Sequence, residues 1–97
     1  MASTNKSSGE KTADALIVTG KGILAGVQLI SDLTNDVTLI VYDNTAASGT
    51  KLYERVLDVS VEGFGKLEEL PGAGVRADNG IYADVTGTGA SYILYYR

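Results

Sequence analysis

Cysteine and histidine are both absent from this 97-residue chain. Without cysteine there is no disulfide framework and no thiolate metal site. Without histidine the commonest general base and the commonest metal ligand are missing. Tryptophan is absent too, and there is one proline, one methionine and one phenylalanine. No run approaches the roughly 18 apolar residues that a membrane helix needs, and no basic segment followed by an apolar stretch marks a secretory signal. No long stretch keeps apolar residues at i, i+3, i+4 and i+7, so a helical fold is not expected. Bases are scarce: eight Lys and Arg stand against twelve Asp and Glu, for a net charge of −4. They are scattered singly, which argues against a nucleic-acid partner, whose phosphates need clustered cations. Neither a nucleic acid nor a membrane is expected as partner, and the expectation is a soluble protein made in a cytoplasm.

What is present is glycine, twelve of it, and tyrosine, six. A chain of this length is one domain with a small core. Unsupported small domains often draw stability from subunit contacts, so oligomerisation is expected. Residues 1–13 are Ser, Thr, Lys and Gly with little that is apolar, and read as a mobile N-terminal arm able to order on a neighbour. Residues 14–97 read as a single all-β domain, an antiparallel β-sandwich or jelly-roll-like fold of seven to eight short strands.

The organising stretch is residues 36–49. Its first half, Val37-Thr-Leu-Ile-Val-Tyr42, is apolar and β-branched, as a buried strand requires. Its second half is short and polar and ends in Gly49, a connection to the next strand. Val37, Leu39 and Val41 share one face, and Thr38, Ile40 and Tyr42 the other. Neither face is properly polar, so the second is expected to be covered by another copy or a partner. Alternation in residues 23–30 puts Ile23, Ala25, Val27 and Leu29 on one side and Leu24, Gly26, Gln28 and Ile30 on the other, with Gly26 marking a bulge or a close backbone approach. Residues 50–61 form the longest predicted strand, with Leu52 and Val56 breaking its alternation and suggesting a bulge. Pro71 places residues 66–70 at a sheet edge. Asp78-Asn-Gly80 reads as a tight hairpin.

Four stretches follow one another along the chain: Gly22-Ile-Leu-Ala-Gly-Val, Val37-Thr-Leu-Ile-Val-Tyr-Asp-Asn-Thr with Ala47-Ser-Gly-Thr-Lys51, Gly80-Ile-Tyr-Ala-Asp-Val-Thr-Gly, and Ile93-Leu-Tyr-Tyr. Together they resemble a family of small β-sandwich structural proteins of tailed bacteriophages, over nearly all of residues 14–97. The resemblance implies a virion protein made in the bacterial host cytoplasm, most simply a capsid decoration or cement protein that stabilises the head by bridging shell subunits. It implies a homotrimer whose partner is the major capsid protein or another virion protein. A tail- or fibre-base module, or a glycan-binding jelly roll on the virion surface, are the alternatives. Under the resemblance Tyr42 and Tyr82 are packing residues, and Asp43, Asn44, Asn79 and Gly80 turn residues.

No catalytic, cofactor or metal residues are expected, and the protein is read as not an enzyme. Glu68 and Glu69 are adjacent, so on a strand they face opposite ways and cannot share one substrate bond. Serines lack a histidine partner for acyl transfer. Asp32, Asn35 and Asp36 offer closely spaced oxygens, but a solvated turn explains them better than a hard-cation site. Tyrosine suits surfaces that are covered by a partner yet touch water. Ile40, Tyr42, Tyr92, Tyr95 and Tyr96 are therefore the expected subunit or partner contacts, with Lys6 and Lys11 of the arm meeting an acidic shell surface.

Overall fold

The structure is a computed structural model that describes residues 5–63, 65–70 and 74–97, with backbone only at 62 and 66–69. Among the described residues nine strands and one helical turn follow in order: β1 (Lys6–Ser7), β2 (Ala15–Thr19), β3 (Gly22–Ile30), β4 (Val37–Tyr42), β5 (Lys51–Leu57), α1 (Val59–Glu62), β6 (Gly65–Glu69), β7 (Val75–Ala77), β8 (Gly80–Thr86) and β9 (Ser91–Tyr96). They form two antiparallel sheets. The first runs β1-β9-β3, with β6 and β7 end to end along the far side of β3; the second runs β2-β8-β4-β5. Because β6 and β7 share one lane, each sheet is four lanes wide. The small all-β sandwich expected from turn spacing is the fold observed.

The core lies between the sheets. Leu24, Val27, Leu29, Ala77, Tyr92 and Leu94 of the first face Val37, Leu39, Val41, Leu57, Ile81 and Ala83 of the second, and all are buried. Burial of each large side chain contributes about 1.5–3 kcal/mol to folding, which must offset the ordering of the chain. Strand β4 sits between β5 and β8, and its residues alternate between buried and half-buried along their whole length. Its pattern is therefore the clearest sandwich signal in the chain.

Three expectations are corrected. First, Leu24 is buried on the same side as Val27 and Leu29. The β3–β9 register slips between Leu24 and Gly26, so the bulge absorbs one residue and moves Leu24 to the inner face. Gly26 thus marks a bulge, as one of its two readings held. Second, the strand predicted to reach Val61 stops at Leu57. Asp58 caps a short helical turn there: its Oδ1 accepts the Ser60 N–H at 3.0 Å and the Ser60 hydroxyl at 2.6 Å. Asp36 Oδ1 accepts the Val59 N–H at 3.1 Å, and these side-chain bonds outbid strand pairing.

Third, Asp78-Asn79-Gly80 is not a hairpin. Strand β7 belongs to the first sheet and β8 to the second, so this turn crosses between sheets. A carboxylate from elsewhere holds it. Asp43 Oδ1 accepts the N–H groups of Asp78 at 3.0 Å and Asn79 at 2.8 Å, and the Asn79 carbonyl accepts the Gly20 N–H at 3.2 Å. Glycine is required at 80, because a Cβ there would lie 2.7 Å from the Asn44 carbonyl oxygen and 3.0 Å from that of Val18.

The bonds from Asn79 and Asp78 hold the Asp43 carboxyl below its ordinary pKa. Asp32 is lowered in the same way, by the N–H groups of Asn35 and Thr34. A lowered carboxyl stabilises the fold fully above its unfolded value near pH 4, and that contribution fades as pH falls through the folded value. Asp43→Ala should lower the thermal midpoint at pH 7, and the gap from the parent chain should close in melts taken progressively below pH 4. A gap that stayed constant down to pH 2 would show that the charge of Asp43 contributes nothing.

The N-terminal stretch also departs from expectation. Residues 1–13 read as an arm separate from the sandwich, yet β1 pairs with β9, and Lys11 and Tyr92 exchange two backbone hydrogen bonds of 2.9 Å. Apolar burial does not drive this pairing, since only Ser8 is even half-buried among residues 5–13. Backbone hydrogen bonds place it instead, and composition alone does not report them. Residues 1–4 lie outside the described residues. Strand β6 ends its side of the first sheet, as the edge assignment for residues 66–70 required, while Pro71 and the Glu68 and Glu69 side chains also lie outside what is described.

Candidate interaction face

The outer face of the second sheet is built from alternate residues of four neighbouring strands. On β8, Ile81 and Ala83 are buried, so Tyr82 between them and Asp84 just beyond turn outward. On β4, Thr38, Ile40 and Tyr42 do the same. Register then aligns these residues in cross-strand rows. Leu16 on β2 lies opposite Tyr82, Tyr82 lies opposite Tyr42, and Tyr42 lies opposite Lys51 at the β5 end of the row. The next row is Glu54, Ile40 and Asp84, and the third is Val56, Thr38 and Thr86. Directly opposed side chains on one face are about 5 Å apart at Cβ, so each row is a contiguous strip.

The first strip is apolar and aromatic across β2, β8 and β4 and ends in Lys51 on β5. Leu16 is 44% exposed, and Val56 at the opposite edge is 55% exposed. The middle strip is acidic around Ile40. Asp84 has its pKa raised, first by burial, then by the charge of Asp14 and a hydrogen bond between the two carboxyls. Asp14 is itself fixed by the Val85 N–H, 2.9 Å from its Oδ1. Lys51 pairs with Glu54 at 3.0 Å, with both side chains about half exposed. Such a pair contributes little to folding. The face is therefore neither a clean wet side nor a uniformly apolar one: it has an aromatic strip, an acidic strip and a Val/Thr strip.

The expected contact residues do not converge. Ile40 and Tyr42 lie on this face. Tyr95 lies on the opposite side of the molecule, on the outer face of the first sheet, where its hydroxyl donates to Gln28 Oε1 at 3.3 Å. Tyr96 packs against the core and is half-buried. Lys6 and Lys11 are exposed on the N-terminal stretch along β9. Tyr92 is corrected: it is 0% exposed and belongs to the core. Its hydroxyl donates to the Ala13 carbonyl at 2.7 Å, which satisfies the one polar atom that burial would otherwise penalise. Burial, with smaller effects from Asp14 and Tyr82, pushes its pKa up to about 12.

Three members of the face were not expected as contacts: Leu16, Tyr82 and Val56. Each carried a signal. Val56 broke the alternation of its strand, Tyr82 was read only as packing, and Leu16 sits in a short apolar strand with no charge of its own.

The loop at Asp32 is self-satisfied. Its Oδ1 accepts the N–H groups of Thr34 at 2.9 Å and Asn35 at 2.8 Å, its Oδ2 accepts the Asn35 side-chain amide at 3.0 Å, and Asp36 is turned to Val59. Among the described residues no group of three acids is placed to hold a metal ion. A cleft of about 170 Å³, lined by Ser7, Ser8, Lys11, Leu16, Ile17 and Tyr96, opens between β1 and β2. It is smaller than the roughly 300–1,000 Å³ of usual small-molecule sites. Comparison with protein-family models, with curated proteins and with solved structures returns no match to this chain.

Proposed function

We propose that this chain is a non-catalytic virion structural protein of the capsid decoration or cement type, which seats the outer face of its second sheet on the shell and bridges shell subunits. The observation that carries the reading is the cross-strand strip Leu16–Tyr82–Tyr42, apolar and outward on three adjacent strands. Tyrosines in such a strip supply large rigid contact area at low entropic cost.

The charge beside the strip selects the kind of partner. Glu54 is already paired with Lys51, but Asp14 and Asp84 crowd each other beside the strip, so a surface that covers the face is favoured by bringing a cation to that end of the row. An identical face of a second copy would set the Asp14–Asp84 pair against acids again, so a different surface, with a Lys or Arg beside apolar groups, suits it better.

Size argues for several copies acting together. Four strands about 4.8 Å apart and six residues of about 3.3 Å each make a platform of a few hundred Å², below the roughly 800 Å² per partner of a stable interface. One copy attaches weakly. Copies linked to one another attach strongly through effective concentration, which fits the trimer that the resemblance implies.

The test is co-sedimentation of the purified chain with heads of the encoding phage assembled without it. Saturable binding, with heads made more resistant to heat, is expected, and Tyr82→Ala should weaken it about tenfold or more. Absence of binding by a chain that circular dichroism shows to be folded would overturn the assignment.

A further inference from the structure

We propose that residues 5–13 form an exchangeable strand: the segment leaves its own β9 edge and occupies the same edge on a second copy of the chain. Two features make the segment separable. Its side chains bury almost nothing, with only Ser8 half-buried. A cleft also opens between it and β2 of the second sheet, and its strand pairing is with β9. Segments held by exposed hydrogen bonds and little apolar contact open long before the fold does.

A second pair of features dictates what refills the edge. When the segment leaves, β9 presents a row of unpaired backbone groups beside buried Leu94, and such an edge recruits another strand. The seat is specific to this sequence. The Ser8 N–H donates to the Leu94 carbonyl, and the Leu94 N–H donates to the Ser8 hydroxyl, both at 2.9 Å. The Ser91 hydroxyl donates to Glu10 Oε2 at 2.7 Å, and the Tyr92 hydroxyl to the Ala13 carbonyl at 2.7 Å. Arg97 Nη1 donates to Asn5 Oδ1 at 2.6 Å. A strand that reproduces Ser, Glu and Asn at those positions is the same segment of another copy. Ala13 and Asp14, where the chain crosses to the second sheet, are the hinge. Exchange closes either reciprocally, as a dimer, or head to tail around a ring, with the same contacts in every seat. It also supplies the linkage between copies that a small docking face needs, though its geometry does not depend on what that face binds.

The experiment exploits the absence of cysteine. Ser7 and Tyr95 are directly opposed, both with accessible side chains, so S7C/Y95C places one thiol on each strand at a separation a disulfide can span. The protein is held concentrated, diluted, and then oxidised. The expected result is covalent dimers or closed rings on a non-reducing gel, with none from either single variant under the same dilution. Disulfides formed only within a chain, at every starting concentration, would overturn the proposal. Hydrogen exchange of the parent chain gives a check free of variants. The Ser8 and Lys11 amides should exchange at least about 100-fold faster than those of β4. Protection equal to that of β4 would show a segment fixed until global unfolding, and would also overturn it.

Discussion

Leu39→Ala should cost the fold about 2–5 kcal/mol, the range for truncating a fully enclosed leucine. Leu39 is completely buried, midway along β4, with Val37 and Val41 on either side of it on the inner face. Its strand is paired on both edges, by β5 and by β8, so the backbone there cannot shift far to close the void. Restricted collapse places the loss toward the upper part of the range. A domain of 97 residues has a total stability of about 5–15 kcal/mol, and none of it comes from a disulfide. One substitution therefore removes a third or more of what holds a marginal molecule together. Urea unfolding followed by circular dichroism should show the midpoint falling while the slope stays as it was, since the surface exposed on unfolding hardly changes. A loss under 1 kcal/mol would mean that the two sheets do not close over Leu39.

That residues 37–42 form a buried strand was plain in the sequence, from their apolar, β-branched make-up. Period two groups Leu39 with Val37 and Val41, but with Ile40 and Tyr42 on the other side hydropathy did not say which face turns inward, and the packing of the two sheets decides it. Legibility failed where a side chain competed with the backbone. The apparent Asn-Gly hairpin is a crossing between sheets held by the Asp43 carboxylate, whose partners lie 35 and 36 residues away in sequence. Local turn chemistry has no access to such a bond. Asp58 ended β5 early for a related reason, although its capping bond to Ser60 is local and could have been found. In β3 the bulge moved Leu24 across the sheet; glycine at 26 announced an irregularity, but its effect on register depends on the partner strand. The outer face was half legible. Ile40 and Tyr42 could be read from β4 alone, whereas their alignment with Glu54, Asp84, Tyr82 and Leu16 is a property of strand order, which periodicity does not encode. Tyr92 shows the converse. Clustered tyrosines at the end of the chain suggested a contact surface, yet alternation sends Tyr92 inward and Tyr95 outward.

Ile40→Lys, one residue along from Leu39, should have the opposite profile: a fold nearly unchanged and attachment lost by about 100-fold. The side chain points outward and is half-buried, so truncating its apolar contact costs folding little. Its cross-strand neighbours are Glu54 and Asp84, and a lysine between two carboxylates gains charge pairing with both. Asp84 pays for its position through burial and the nearby charge of Asp14, which raise its pKa, and a cation alongside offsets that. Thermal midpoints of the variant and the parent should therefore agree within a few degrees at pH 7. Binding responds differently because the partner is favoured by bringing a cation to this acidic strip. A lysine at 40 neutralises the strip and repels the incoming charge at the centre of the contact, and the 100-fold loss, about 2.7 kcal/mol, is that of a hot-spot residue. Co-sedimentation with heads, read beside a melt of the same sample, separates the two effects. Undiminished attachment of a folded Ile40→Lys chain would show that the second sheet's outer face is not the docking surface and would move attention to Tyr95 and the outer face of the first sheet.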